Sequence, residues 1–388
     1  MDKNIAENIV YIGCDDPSLD LFEGQYPLTG GVSYNSYVIL DEKVAVLDTA
    51  DGRVSEQWFE NLKAALGTRT PDYLIVSHME PDHARNIGRF LETYPAAKIV
   101  GNAKTFTLFP QYFSEDISER KVLVKEGDEL SLGAHTLVFV MAPMVHWPEV
   151  MMEYEKKEKI LFSADAFGKF GTINFAEDWT DEARRYYCNI VGKYGPSVQT
   201  VLKKAAGLDI ATICPLHGPV LKENLGYYIG KYDLWSRYEP EEKGVVVAYA
   251  SIHGNTAQAA RILRDQLEAR GERTVLLDLA RTDVAQAVAE VFRFDRLALA
   301  CSTYDANLFP CMQDFLSHLK AKAVQNRTVG IVENGSWAPA AGRLMSEMLA
   351  SMKNMTVVEP LVTVRGAVKE DTVQSLGTLA DALHAAGK

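Results

Sequence analysis

The sequence has few of the features that mark secreted, membrane-spanning or nucleic-acid-binding proteins. Its 388 residues include five cysteines and no CxxC pair, which argues against a zinc knuckle, a thioredoxin-type site and a rubredoxin-like iron centre. No apolar run approaches the roughly 20 residues that cross a bilayer, and residues 1–8 lack the apolar core of a signal peptide. The net charge is −12 and no basic stripe is present, so a nucleic-acid partner is not indicated. We therefore expect a cytoplasmic protein with reduced thiols.

The length of the chain favours two domains. Residues 238–244 are charged, contain a proline and a glycine, and precede a new apolar strand, so we place the boundary there. Residues 1–243 would form the first domain and residues 244–388 the second. Strand-rich blocks in the first domain, each followed by helices, predict two sheets packed face to face with helices outside. Five alternations of strand and helix in the second predict a parallel sheet.

Hydrophobic periodicity and turn residues give approximate bounds for these elements. The predicted strands of the first domain are residues 8–12, 33–40, 44–47, 72–77, 98–101, 121–124, 135–141, 150–154 and 159–162, and its predicted helices include residues 54–66 and 84–94. The predicted strands of the second domain are residues 245–249, 273–278, 296–300, 327–332 and 356–364, with a helix at residues 256–269.

A cluster of metal-binding side chains follows the apolar run at residues 72–77. His78, Glu80, Asp82 and His83 lie within six residues. Because strand side chains alternate between faces, an extended run would point the first three into one pocket. Pro81 argues against an ordinary helix through the cluster. The alternative is a solvated polar loop, but two histidines and two carboxylates at a strand end are typical of a metal site.

Three further candidate ligands each follow an apolar strand, namely His146, Asp165 and His217. Taken singly, each could be an ordinary loop residue, but strand ends around the rim of a sandwich converge. Seven ligands are too many for one tetrahedral zinc and suit two metal ions with Asp165 bridging them. Imidazoles and carboxylates without a thiolate favour iron, although zinc and manganese remain open.

At these residues the first part of the chain resembles metallo-β-lactamase-fold domains. Their usual hydrolase signature HxHxDH reads HxExDH here, because Glu80 replaces the second histidine. With the domain that follows, the chain resembles the flavodiiron proteins over essentially its whole length. The resemblance implies an α/β protein, an N-terminal αββα sandwich followed by a flavodoxin-like, doubly wound, parallel five-stranded sheet. It also implies two irons, one held by His78, Glu80 and His146, the other by Asp82, His83 and His217, with Asp165 between them.

The second domain carries a candidate phosphate site after its first strand. Ser251 and Thr256 flank Gly254 before a helix begins, and free amides at a helix N-terminus favour an anion. No P-loop lysine follows, so a nucleoside triphosphate is not indicated. The loop resembles the phosphate loop of flavodoxins, which bind FMN, although Ser and Thr could merely cap the helix.

Two later loops also lie at the carboxyl ends of strands, where open α/β sheets bind ligands. By the same resemblance they would contact the isoalloxazine ring, with Tyr304 and Trp337 as its aromatic neighbours, although either ring could belong to the core. The predicted FMN contacts are Ser251, His253, Gly254, Asn255 and Thr256, then Ser302, Thr303, Tyr304, Asp305, Ala306 and Asn307, then Asn334, Gly335, Ser336 and Trp337.

The resemblance implies an oxidoreductase that reduces dioxygen to water, nitric oxide to nitrous oxide, or both. Electrons would come from an external donor, such as a rubredoxin or a reduced deazaflavin, and pass through FMN to the diiron centre. A head-to-tail homodimer or dimer of dimers is implied as well. The alternatives are a binuclear zinc hydrolase with an auxiliary flavodoxin domain, which Glu80 argues against, and an electron carrier with a degenerate metal site. Residues near the metals would set the preference between the gases, and Tyr26, Trp147 and Tyr194 are the candidates.

Overall fold

The computed structural model describes residues 3–174 and 178–388 and divides into two compact units. The first unit comprises the described residues of Met1–Tyr187 and Pro196–Asp233, and the second comprises Cys188–Gly195 and Leu234–Lys388. The domain boundary between residues 243 and 244 stays a prediction. In the part of the chain that is described, no helix is both long enough and apolar enough to cross a membrane.

Short strands make up the sheets of the first unit. They are β1 (Asn4–Ala6), β2 (Ile9–Tyr11), β3 (Cys14–Asp16), β4 (Leu21–Phe22), β5 (Tyr26–Pro27), β6 (Val32–Tyr34), β7 (Tyr37–Leu40), β8 (Val44–Leu47), β9 (Tyr73–Ile75), β10 (Lys98–Gly101), β11 (Lys121–Leu123), β12 (Glu129–Ser131), β13 (Thr136–Met141), β14 (Met151–Glu155), β15 (Ile160–Phe162) and β16 (Thr212–Cys214).

Helices connect these strands and continue into the second unit. They are α1 (Ser55–Leu66), α2 (Pro81–Ala84), α3 (Ile87–Thr93), α4 (Ala103–Tyr112), α5 (Trp179–Ile190), α6 (Gly195–Ala205) and α7 (Leu225–Ser236), with 3-10 turns at Gly52–Val54, Ser118–Arg120 and Gly192–Tyr194.

Two sheets enclose the core of the first unit, as predicted. One has seven strands in the order β1-β2-β7-β8-β9-β10-β11, and the other has five in the order β12-β13-β14-β15-β16. Ile39, Leu47 and Val100 of the first sheet belong to the same buried cluster as Phe139 and Phe162 of the second. The two sheets therefore pack against each other around one apolar core.

The second unit is a mainly parallel sheet covered by helices. Its elements are β17 (Glu242–Ala250), α8 (Asn255–Glu268), β18 (Thr274–Asp278), α9 (Val284–Arg293), β19 (Phe294–Tyr304), β20 (Asn307–Leu308), α10 (Pro310–Ala321), β21 (Arg327–Asn334), α11 (Ala341–Ala350), β22 (Met355–Val357), β23 (Val362–Val364) and α12 (Glu370–Ala386).

The central strands of this sheet run in the order β18-β17-β19-β21-β22, and all four pairings between them are parallel. Leu263 of α8 and Leu379 of α12 pack in one buried cluster with Val247 and Val332 of the sheet. This is the flavodoxin-like arrangement expected from the alternation of strands and helices.

Two predicted strands are each divided in the structure. Residues 33–40 were expected as one strand, but β6 pairs with β3 whereas β7 pairs with β2 and β8. Residues 356–364 form β22 and β23, which both pair with β21. Pro360 lies between them and has no N–H to donate to the ladder, so the strand breaks there.

A buried arginine fastens the start of β21 to the rest of the second unit. The Arg327 guanidinium donates to the backbone carbonyls of Tyr238, Val291 and Phe292 at 2.9–3.0 Å. Burial lowers the pKa of Arg327 to about 10. Since Tyr238 precedes β17, these bonds hold the segment before the parallel sheet against the sheet itself.

Candidate functional site

The metal-binding cluster starts in a loop and ends in a short helix. Strand β9 ends at Ile75, before the motif, and Glu80 has an extended backbone immediately ahead of α2. Pro81 takes a position in the first turn of that helix, where a missing N–H costs nothing. As expected, no helix runs through the whole cluster, because α2 begins only at Pro81. The expectation that strand alternation aligns His78, Glu80 and Asp82 was wrong, since Asp82 lies in α2. Helix α2 instead turns Asp82 and His83 back toward the loop.

The loop ligands and two distant residues form a first ligand group, defined as His78, Glu80 and His146 with Asp165 beside them. Glu80 Oε2 lies 3.1 Å from His78 Nε2 and 3.0 Å from His146 Nε2. Donor atoms of all four side chains lie within 4.8 Å of one another. That spacing fits a single ion at their centre.

The helix ligands form a second ligand group, defined as Asp82, His83 and His217. Asp82 Oδ2 is 3.3 Å from His83 Nε2 and 3.4 Å from His217 Nε2. The two Nε2 atoms are 3.0 Å apart. His83 and His217 are separated by 134 positions in the chain, yet each ring directs its Nε2 atom to the same point.

Asp165 stands between the two groups and offers one oxygen to each. Its Oδ2 lies 3.2 Å from His78 Nε2 and 3.3 Å from His146 Nε2. Its Oδ1 lies 3.5 Å from His83 Nε2 and 3.6 Å from His217 Nε2. Both oxygens are buried without a well-aligned hydrogen-bond donor among the described residues. A buried carboxylate in that position needs cations, so the residues fit a pair of metal ions bridged by Asp165.

The electrostatics of the site favour bound cations. Burial opposes protonation of His78, but the charge of Asp165 and contacts with Glu149 and Glu80 raise its pKa well above the usual range. Burial likewise opposes protonation of His146, yet its contacts with Asp165 and Glu80 raise its pKa to about 9. The same histidines hold the pKa of Asp165 well below its usual range although burial opposes this. Metal ions would displace the protons from these rings.

Supporting groups behind the ligands escaped the sequence analysis. Glu149 Oε1 lies 2.8 Å from His78 Nδ1 and also accepts the backbone N–H of Met79 at 2.9 Å. His217 Nδ1 donates to the backbone carbonyl of Ser33 at 2.7 Å. Glu149 is 71 positions from His78 in sequence, so only the fold reveals the pairing.

Trp147, one of the predicted neighbours of the metals, lies against the first ligand group. Its ring meets the His78 ring edge-on, with centroids 5.2 Å apart, and the His146 ring at 6.3 Å. Tyr194 lies in the 3-10 turn Gly192–Tyr194 of the second unit, beneath the Lys193 ammonium. A role for Tyr194 at the metals stays a prediction.

An aromatic cluster covers the second ligand group. The Tyr186 ring lies 5.6 Å from the His217 ring, and the Phe22 ring lies 5.4 Å from it. Phe170 packs on Tyr186 at 5.2 Å, and the predicted neighbour Tyr26 packs on Phe170 at 6.2 Å. Tyr26 therefore connects to the histidine through two other rings. Sequence reasoning missed Tyr186, which lies in α5, a helix with no metal motif.

The second unit contains a cavity of about 360 Å³ at the carboxyl ends of its parallel strands. Its size falls in the range of small-molecule and cofactor sites. The lining residues come from the ends of β19 and β21, the start of α8 and the loops after β17, β19, β21 and β23: Ile252, His253, Asn255, Thr256, Ser302, Thr303, Asp305, Ala306, Asn334, Gly335, Ser336, Trp337, Ala338 and Gly366.

Most of the predicted FMN contacts are among these residues. The predicted contacts outside the cavity lining are Ser251, Gly254, Tyr304 and Asn307, and the lining residues that were not predicted are Ile252, Ala338 and Gly366. Gly366 exchanges two hydrogen bonds with the Asn334 side chain, at 2.9 and 3.1 Å. Gly366 comes two residues after β23, the second half of the predicted strand that Pro360 divides. The only feature of the sequence that could have indicated its role is that it is a glycine in a loop.

The first loop leaves the N-terminus of α8 available to an anion. Gly254 precedes the helix with φ +91°, makes no side-chain cap, and its N–H donates to Ser251 Oγ at 3.1 Å. Thr256 Oγ1 and Ser302 Oγ are 2.7 Å apart, so neither hydroxyl caps the helix. The free amides and the cavity in front of them fit a phosphate group.

The second and third loops contribute unequally to the cavity. Thr303 Oγ1 accepts the backbone N–H groups of Ala340 and Ala341 at 3.0 and 3.2 Å, so its hydroxyl also secures the start of α11. Trp337 is 90% exposed and Tyr304 is 44% exposed. Both aromatic side chains therefore lie at the surface rather than in the core, which is where a planar ring could stack on them.

Comparison with known proteins assigns both halves of the chain. The family model described as "ODP family beta lactamase" matches residues 32–218, and the one described as "Flavodoxin" matches residues 247–376. The structure also superimposes on a flavodiiron protein from Giardia intestinalis with a TM-score of 0.91, at 24% identity, covering 100% of this chain and 97% of that one. The chain therefore combines the two domain types of the flavodiiron proteins and shares their fold.

Other proteins with these two domains are also similar to this chain. A nitric oxide reductase from Moorella thermoacetica is 28% identical over 381 residues, 95% of each chain. The rubredoxin oxygen:oxidoreductase from Desulfovibrio gigas superimposes with a TM-score of 0.92 at 24% identity, covering 99% of this chain and 98% of that one. Diflavin flavoprotein A 1 from Synechocystis is 32% identical over 287 residues, which are 72% of this chain and 50% of that protein.

Proposed function

We propose that this chain is a flavodiiron protein that reduces dioxygen to water, nitric oxide to nitrous oxide, or both. When bound, FMN would accept electrons from an external donor and a pair of irons would bind and reduce the gas. The observation that carries the proposal is Asp165, whose two oxygens face two separate sets of imidazoles. A relative named nitric oxide reductase and another named rubredoxin oxygen:oxidoreductase support both gases as substrates.

The residues of the first unit would hold and shield the metals. His78, Glu80 and His146 would bind one iron, Asp82, His83 and His217 the other, and Asp165 both. The rings of Trp147 and Tyr186 pack edge-on or tilted against ligand imidazoles. Such rings fix the orientation of the imidazoles and keep bulk water from that side of the site.

The residues of the second unit would hold the flavin. The amides that open α8, with Asn255 and Thr256, would bind the phosphate of FMN. Asp305, Asn334 and Gly335 line the cavity, and Trp337 would cover one face of the flavin ring system.

A binuclear zinc hydrolase is not favoured as the alternative. That reaction needs a metal-bound water but no flavin, whereas the chain carries a flavodoxin match and a cavity to go with it. Glu80 also replaces the second histidine of the hydrolase signature. Two zinc ions together with ester or lactam hydrolysis would overturn the preference.

The electron donor and the assembly follow from the family resemblance. We propose a rubredoxin or a reduced deazaflavin as donor, and a head-to-tail homodimer or dimer of dimers as the working unit. The exposed Trp337 at the flavin cavity supports a partner at that surface. Sedimentation that shows a fully active monomer would exclude the dimer.

The proposal is tested by counting cofactors and then measuring gas consumption. Purified protein reconstituted with iron should contain two irons and one FMN per chain. With a reduced rubredoxin as donor, it should consume dioxygen, nitric oxide or both at an electrode. Protein with the full cofactor content that consumes neither gas would refute the function.

A further inference from the structure

A buried carboxylate supports a histidine of the first ligand group. Glu149 Oε1 lies 2.8 Å from His78 Nδ1, and both side chains are fully buried. The same oxygen accepts the Met79 N–H, and Asn102 Nδ2 donates to the Glu149 backbone carbonyl. The carboxylate is thus fixed at the ring nitrogen that faces away from the metal position.

In the second ligand group, no carboxylate of the described residues is hydrogen-bonded to the Nδ1 atom of a histidine. His217 Nδ1 donates to the neutral backbone carbonyl of Ser33, and His83 Nδ1 is buried with no hydrogen-bond partner among the described residues. Asp48 and Asp51 influence His83 only through space. Across residues 3–174 and 178–388, Glu149 is therefore the one carboxylate hydrogen-bonded to the Nδ1 of a proposed ligand.

A carboxylate that accepts a hydrogen bond from one ring nitrogen of a ligand histidine fixes the tautomer of the ring. It also makes the other ring nitrogen a stronger metal ligand. We propose that Glu149 is a positioning residue that makes the first ligand group the tighter of the two metal sites. The inference rests on the proposed diiron function and specifies how its two ions differ. It predicts that the ion between His78, Glu80 and His146 is the last to leave.

The test is stepwise chelation of the full-length, FMN-loaded, two-iron protein. Glu149→Gln keeps the shape of the side chain and removes its charge. Metal loss against chelator concentration is measured by elemental analysis, and anomalous diffraction from crystals of half-depleted protein identifies the site that is still filled. Glu155→Gln is the matched control, because Glu155 pairs with His135 Nδ1 at 3.1 Å and both are fully buried, but neither belongs to a ligand group.

Half-depleted wild-type protein should retain its metal in the first group. Glu149→Gln should release that metal at a chelator concentration about 10–100-fold lower and retain the other, whereas Glu155→Gln should behave as wild type. Flavin content and thermal unfolding of the metal-depleted protein should match wild type, which separates positioning from folding.

Two results would overturn the inference while leaving the proposed function intact. In one, half-depleted wild type retains metal in the second group; in the other, Glu149→Gln loses its ions in the wild-type order and range. If Glu149→Gln does not fold, the wild-type half-depletion alone decides. Wild-type protein that cannot be loaded with two ions would overturn the inference and the proposed function together.

Discussion

Replacing Asp165 by asparagine should weaken both metal sites at once. The carboxylate offers Oδ2 to His78 and His146 and Oδ1 to His83 and His217, over distances of 3.2–3.6 Å. Asparagine has one oxygen and an NH₂ group that cannot bind a cation. One ligand group therefore loses a donor outright, and both lose the shared negative charge.

The magnitude has a lower bound from residues that only support metal ligands. Substitution of such residues typically lowers metal affinity 10–100-fold. Loss of a direct, bridging ligand should cost at least about 100-fold, or about 2.8 kcal/mol at 1.4 kcal/mol per tenfold. The unfolding free energy should be affected less, because the substitution also removes a buried charge that needs cations.

The assay is metal content after dialysis against a graded series of chelator concentrations. Asp165→Asn should release both irons at low chelator, while FMN stays at the wild-type level. Asp82→Asn is the matched control, since His83 and His217 are the ligand histidines that lie within 4 Å of Asp82 in the described part of the chain, and it should affect one ion. An Asp165→Asn protein that holds two ions at the wild-type chelator midpoint would refute the bridging role.

Three further changes test separate parts of the structure. Glu80→His should weaken iron retention in the first ligand group and lower gas reduction, as shown by metal analysis and gas electrodes; two retained irons with full activity would contradict the weight placed on Glu80. Gly254→Ala should lower the free energy of unfolding by about 1 kcal/mol, because φ is +91° at this position. It should also weaken FMN binding measured by fluorescence quenching, and unchanged affinity would argue against this loop as the phosphate site. Burial and the charge of Asp48 raise the pKa of Glu153 well above its usual range, so Glu153 favours folding below its unfolded pKa and this contribution is lost as pH rises through the folded one. Glu153→Gln should therefore flatten the fall in stability that sets in as pH rises above the unfolded pKa of Glu153, as measured by urea titrations, and an unchanged pH profile would contradict this expectation.

Much of the fold was predictable because periodicity reports burial. Alternating and continuous apolar runs marked β8, β10 and β13, and the regular alternation after residue 244 indicated a parallel sheet. The prediction was wrong where a local rule was applied too broadly. Strand alternation was extended to Asp82, which lies in a helix, and residues 356–364 were predicted as one strand although Pro360 divides them.

The candidate ligands could be listed from sequence because each follows an apolar strand, and strand ends share a rim. Their pairing was not available from spacing, since the His83 and His217 rings meet across 134 positions. Glu149 and Tyr186 were missed for the same reason. Neither lies in a motif, and each gains its role from a side chain that folding brings beside it.

Anaerobic stopped-flow mixing of the reduced, iron-loaded and FMN-loaded protein with each gas tests the central claim most directly. Flavin reoxidation should be rapid with dioxygen, nitric oxide or both, and slow in protein that carries FMN but has been depleted of iron. If the iron-loaded protein reoxidises no faster than the iron-depleted protein with either gas, Asp165 and the six other proposed ligands do not form a gas-reducing centre.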